Sequence, residues 1–336
     1  MLGNAKKKKP NLRDVARTAE VSVATVSRVL NSPDMVNATT RARVENVIEE
    51  LGFVRSAAAR AINSGRTRLL GALIPTLDSD IFSSTVNSME QTLVDHGFSL
   101  IVATTDDDPE KEARKAQELL DVGVEGIFVT GLDHGDALYA LLHRTRVPTV
   151  AISFYDAAYH LPTIGYDNRA AADLACAHLI ELGHKRVAVV HGPLAGNDRT
   201  LARVDGARAG LADKTCGLYE TELSVEGGVN AVRRIMRHTP RCDAIFCLSD
   251  VIAFGVLNEL LRLGVSVPND MSVISIHDLP ASEYTVPPLT TVHLPARQMG
   301  CKAAESLAAW VEHDVRPPPL HLASRLIVRG STRRRS

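Results

Sequence analysis

Residues 12–31, LRDVARTAEVSVATVSRVLN, decide how the N-terminal part of this chain folds. The stretch reads as two short helices joined by a tight turn. Asn11 with Asp14 three residues on makes a capping-box pattern, and Val15, Ala16 and Ala19 then share the inward face of the first helix. Ser22 stands where the second helix needs an N-cap. Helical spacing puts Val26, Val29 and Leu30 on one side of that helix and Val23, Ala24, Ser27 and Arg28 on the other. A helix this small cannot bury two faces, so the second is left for a partner. The major groove of DNA admits such a helix, and an arginine bonds guanine bidentately there.

A third amphipathic helix follows, capped by Asn37, with Val44, Val47, Ile48 and Leu51 inward and Gly52 as its stop. Residues 56–63, SAAARAIN, form a helical run too short to be stable alone, since isolated helices below about 12 residues are marginal. Charge divides the chain at the same place. Residues 1–68 carry 13 Lys and Arg against 6 Asp and Glu, whereas the remainder carries 25 against 33, so the net charge of −1 hides a basic head on an acidic body. That polarity concentrates phosphate attraction at one end, and the Lys6–Lys9 run adds sequence-independent charge.

The 336 residues suggest two or three domains. No apolar run reaches the ~18 residues that span a bilayer, and no apolar segment follows the N-terminal lysines, so a cytoplasmic protein without membrane partner is expected. The five cysteines, 176, 216, 242, 247 and 301, form no CxxC pair, which argues against a zinc site and a disulfide framework. Neither GxGxxG, a Walker loop nor GxSxG is present, and Asp106–Asp108 reads as a capping turn. The expectation is therefore no catalytic residue, no metal and no cofactor. A transport-type binding protein would match the body but would have no use for a basic head.

From Leu69 onward apolar runs alternate with helix-length segments: 69–74, 98–104, 125–130 and 148–153, then 185–192, 242–250 and 271–278. This rhythm argues for two lobes of parallel sheet covered by helices on both faces.

The DVA of 14–16, VS.ATVSRVLN of 21–31, TR.RV of 40–44 and AR of 59–60 resemble the DNA-binding head and hinge helix of the LacI/GalR family of bacterial repressors. Residues 167–193, the Arg203/Gly206 pair, 249–270 and 287–295 are similar to the effector domain of the same family. The resemblance implies an all-α helix-turn-helix head plus an α/β two-lobe, periplasmic-binding-protein-like (type I) effector domain. The corresponding segments are a head over 1–55, a hinge helix and linker over 56–67, a two-lobe domain over 68–330 and a basic tail over 331–336. The chain would cross between lobes near 164–166, 292–295 and 321–324, with helix 296–313 returning to the first lobe. The implied protein is a homodimeric repressor that binds double-stranded operator DNA under the control of a small molecule, a sugar or sugar acid. Val23, Ala24, Ser27 and Arg28 would read the major groove, Arg60 would lie in the hinge, and Ile62 would wedge the minor groove where the family usually has Leu.

Ligands in open α/β sheets bind beyond the carboxyl ends of strands. The candidates there are Ser79, Phe82, Thr130, Ser153, Asp198, Arg199, Ser249, Asp250 and His277, with Arg203 matching the family's effector-binding arginine. Asp250 also suits a purely structural place at a helix N-terminus. The family's G-[FY]-D-D reads Ser275-Ile276-His277-Asp278 here, so a histidine replaces an acceptor carboxylate. Arg203, His277 and Arg199 together tilt the cleft towards an anion. A protonated His277 would strengthen that pull as the pH falls through ~6.5.

Overall fold

The computed structural model describes residues 10–53, 65–238 and 242–335. It divides into two compact units between Thr67 and Arg68. The run 56–63, with Arg60 and Ile62, lies outside the described residues.

The first unit is built from α1 (Leu12–Thr18), α2 (Val23–Asn31), a short 3-10 turn and α3 (Ala38–Leu51). The Asn11 side-chain oxygen accepts from the N–H groups of Arg13 and Asp14 at 2.8 and 3.2 Å, and the Asp14 carboxylate accepts from Asn11 N–H at 3.0 Å. The reciprocal cap fixes where α1 begins. Ser22 Oγ accepts from Thr25 N–H at 3.0 Å and starts α2. Asn37 caps α3, and Gly52 ends it at φ +60°, a left-handed conformation that glycine adopts without strain. Val15, Ala16, Ala19, Val26, Val29, Val44 and Val47 close into one small core. The face split expected for α2 is present: Val26 and Val29 are buried, whereas Val23, Ala24 and Arg28 are exposed and Ser27 is half-buried.

The second unit holds two six-stranded sheets. The first runs β11-β5-β4-β3-β1-β2, from β1 (Leu69–Ile74), β2 (Ser99–Thr104), β3 (Gly126–Thr130), β4 (Thr149–Ile152), β5 (Thr163–Gly165) and β11 (Leu320–His321). The second runs β12-β10-β9-β8-β6-β7, from β6 (Val187–His191), β7 (Thr215–Glu220), β8 (Ala244–Cys247), β9 (Ser272–His277), β10 (Thr290–His293) and β12 (Arg325–Ile327). All pairings are parallel except β10 with β12. Such sheets are covered on both faces, and strands β3, β4, β6 and β8 are buried along their whole length. Helices α4 (Asp80–Asp95), α5 (Pro109–Val122) and α6 (Asp136–Thr145) connect the first lobe. Helices α7 (Asn168–Glu181), α8 (Asp198–Leu211), α9 (Val225–His238) and α10 (Asp250–Arg262) connect the second.

The chain passes from the first sheet to the second between Gly165 and Asn168. It returns between His293 and Ala296 and crosses again between His321 and Arg325. After the second crossing α11 (Ala296–His313) packs on α4 of the first lobe. Residues 331–335 of the segment read as a basic tail, 331–336, do not separate from the lobe at residue 330. Ser331 is fully buried, its hydroxyl donates to Val273 O at 2.6 Å and accepts from Thr290 N–H at 2.8 Å, and Arg335 N–H donates to Leu182 O at 2.7 Å. The backbone hydrogen bonds dock this end of the chain as part of the second lobe.

In both sheets the first strand lies between the second and the third, so helices leave in opposite directions at β1/β3 and at β6/β8. These are the switch points where α/β sheets open a crevice.

Candidate functional site

The polar face of α2 is the first candidate site. Val23 is 42% exposed although it is apolar, and Ala24 and Arg28 stand beside it in solvent. Ser27 Oγ accepts from Asn31 Nδ2 at 3.2 Å, which holds the far end of the face in place.

The second site is a cavity between the lobes that spans about 490 Å³ of non-atom space, open solvent at its mouth included. Of the candidates read from the sequence, Ser79, Phe82, Ser153, Arg199, Arg203, Ser249 and His277 line it. The first three come from the first lobe and the other four from the second. Ser153 at φ +65° and His277 at φ +130° end β4 and β9 in conformations that non-glycine residues rarely adopt. Each costs about 1–3 kcal/mol, the kind of strain that collects at ligand sites. A wider groove of about 1350 Å³ adjoins the cavity, and Ile81 and His277 line both.

Arg203 anchors the cavity. Its Nε donates to Asn168 Oδ1 at 2.9 Å, and its Nη1 donates to Leu248 O at 3.2 Å and to His277 Nε2 at 2.8 Å. A guanidinium only donates, so His277 Nε2 must accept and its proton sits on Nδ1, which faces Ser249 Oγ at 3.4 Å. Burial, reinforced by Arg203, holds His277 well below the usual histidine range. The expected imidazolium is therefore overturned: His277 is a neutral acceptor for Arg203. Every hydrogen-bond partner of Arg203 among the described residues is uncharged, and burial lowers its pKa to about 10.

Arg199, one helical turn earlier on α8, has the opposite surroundings. Its Nη2 meets Asp107 at 2.6 Å and its Nη1 meets Asp198 at 2.8 Å, while Thr130 O accepts from Nη1 at 3.3 Å. Arg199 touches the cavity, but its charge is spent on carboxylates and does not tilt the cleft as expected. Asp107 and Thr130 belong to the first lobe, so this cluster joins the lobes. Asp198 extends the join by accepting from Leu132 N–H at 2.6 Å and Asp133 N–H at 3.2 Å. The lobes meet closely here. A Cβ on Gly131 would lie 2.6 Å from Arg199 Nη1 and 2.7 Å from Asp198 Oδ1.

Three candidates do not line the cavity. Thr130 turns its hydroxyl to Leu73 O, and Asp198 faces the opposite lobe's backbone. Asp250 is fully buried and accepts from Ser275 Oγ, Thr291 Oγ1, Leu279 N–H and Ser282 Oγ at 2.5–2.7 Å. Four donors saturate its oxygens, so its place is structural. Sequence reasoning missed Asn168, Tyr166 and Asp107. Asn168 is fully buried, and its amide also donates to Ser153 O at 2.9 Å, linking the first lobe to Arg203. It shares a helix face with Ala171, Ala172 and Ala175, all buried, and a polar residue at that spacing was the available signal.

Residues 11–56 match the bacterial regulatory proteins of the lacI family, and residues 176–332 match the periplasmic binding protein-like domain. The chain is 31% identical to the HTH-type transcriptional repressor PurR of Actinobacillus pleuropneumoniae serotype 3 (strain JL03), over 96% of this chain and 98% of that protein. It is also 31% identical to the ribose operon repressor of Escherichia coli (strain K12), over 95% and 99% of the two chains. Among solved structures, a LacI family transcriptional regulator from Silicibacter pomeroyi superimposes with a TM-score of 0.88 at 26% identity, over 97% of this chain and all of that one. The fold and the two sites thus define a DNA-binding regulator with an effector domain. The chain belongs to the LacI family. No helix among the described residues is long and apolar enough to cross a membrane.

Proposed function

We propose that this protein is a cytoplasmic, homodimeric, non-catalytic repressor whose operator affinity is set by a small molecule, a sugar or sugar acid, in the cavity between the lobes. One observation carries the DNA-binding half: α2 buries Val26 and Val29 while exposing Val23, Ala24 and Arg28. Residues Val23, Ala24 and Arg28 read base edges, with Ser27 on the same DNA-binding face, and two copies address two half-sites of a near-palindrome. The hinge residues Arg60 and Ile62 complete the grip, with Ile62 as the minor-groove wedge.

Arg28→Ala tests this reading. Binding to the selected operator and to random duplex is compared by fluorescence anisotropy at several salt concentrations. The expected loss is about 1–3 kcal/mol on operator, with relaxed discrimination at one base pair. Equal loss on both duplexes would make Arg28 a phosphate contact and sink the assignment.

A further inference from the structure

We propose that the effector is a singly charged carboxylate bearing hydroxyl groups, an aldonate or uronate, whose carboxylate is the missing counter-ion of Arg203. The inference rests on reading the cavity as the effector site.

A charge inventory of the cavity carries it. Among the described residues lining the cavity there is no Asp or Glu. Arg199 meets two carboxylates, Asp107 and Asp198, so that cluster carries one negative charge in excess and offers no free cation to a ligand. His277 is held as an acceptor by Arg203 and contributes no charge. Asp250 lies behind the wall with four donors of its own, and Asp278, next to His277, pairs with Arg329 at 2.7 Å and His293 at 3.0 Å. One buried guanidinium remains, 6% exposed, with three neutral partners and no carboxylate of the described residues at ion-pairing distance.

A buried cation without a partner is costly, and a neutral polyol would leave that cost in place. A carboxylate removes it, and charge-assisted hydrogen bonds strengthen in a desolvated cleft. One guanidinium without a direct ion pair faces the ligand, so a phosphate dianion would bury a second negative charge that no other free cation of the described lining meets. The remaining polar lining, Ser79, Ser153, Tyr166, Asn197, Thr200 and Ser249, carries no charged side chain and suits hydroxyl groups. Phe82 offers an apolar face to a sugar carbon skeleton.

The test uses the full chain in calorimetry and thermal unfolding. The probes are D-glucose, D-gluconate and D-glucuronate, then D-galactose, D-galactonate and D-galacturonate, with glucose 6-phosphate as the dianion. At least one acid is expected to bind about tenfold or more tightly than its parent sugar. His277→Asp places a carboxylate beside Arg203; it should raise the melting temperature of the ligand-free protein and weaken the acid about tenfold or more. Arg203→Gln should abolish the preference for acid over sugar and serves if the aspartate variant misfolds. A parent sugar or the dianion binding at least as tightly as every acid overturns the proposal, as does failure of all the acids to bind. If a neutral sugar binds and alters operator affinity, the anion assignment falls while the regulator reading stands.

Discussion

Arg199 and Arg203 lie four residues apart on one helix and are equally buried, yet they inhabit opposite electrostatic worlds. Arg199 sits between Asp107 and Asp198 and fastens one lobe to the other. Arg203 has an amide, a carbonyl and an imidazole around it and, among the described residues, no carboxylate at ion-pairing distance; Asp250 and Asp198 act on it only from farther off. The first end of the helix is electrostatically complete and structural. The second is incomplete, and that deficit marks where a ligand belongs. Residue type and burial alone do not separate the two; the identity of the partners does.

The largest effect should come from breaking the complete end. Arg199→Met strands the partly buried carboxylates of Asp107 and Asp198 and is expected to cost about 3 kcal/mol in urea unfolding. Arg203→Met should cost less, about 1 kcal/mol, because losing three donor contacts is offset by removal of an unpaired buried cation. Equal losses in the two variants would erase the distinction. The last comparison concerns pH. Unfolded His277 takes up its proton near its ordinary value of 6.5, and folded His277 only well below it. In that interval the unfolded chain binds more protons, so stability rises with pH and is lost as the pH falls below 6.5. The slope for one such group is at most ~1.4 kcal/mol per pH unit. His160 and His178 are also lowered by burial and add to the trend, so the measurement is the difference between wild type and His277→Gln from pH 5 to about 7.5. A variant with an unchanged pH profile would contradict a neutral, buried His277.

Local chemistry was legible in the sequence. The Asn11–Asp14 cap, Ser22, Asn37 and Gly52 punctuate the head by contacts within a few residues, and the continuous apolar runs mark the buried strands. Strand β7, TCGLYE, escaped because it is an edge strand only partly buried, so it lacks the apolar run of its neighbours. The cleft was legible as a set of strand ends but not as a charge distribution. Asp107 and Arg199 are 92 residues apart, and nothing local announces that they pair. Asp250 failed as a ligand contact for the same reason: its hydroxyl donors come from Ser275, Ser282 and Thr291, on later elements. Partner choice across elements is a property of the fold, and the sign and neutrality of a cavity follow from it.

The join between the lobes contains two glycines without room for a methyl group. A Cβ on Gly131 would press into the Arg199 guanidinium and the Asp198 carboxylate, and one on Gly196 would overlap the Asp107 carbonyl. Hydrogen at these two positions lets the jaws shut fully. A single alanine at Gly196 would act as a doorstop, so that ligand must close the cleft against a strain that glycine avoids. The set-point of a sensor built on this chain can thus be moved by one carbon atom, one residue along the chain from Asn197 in the cavity wall.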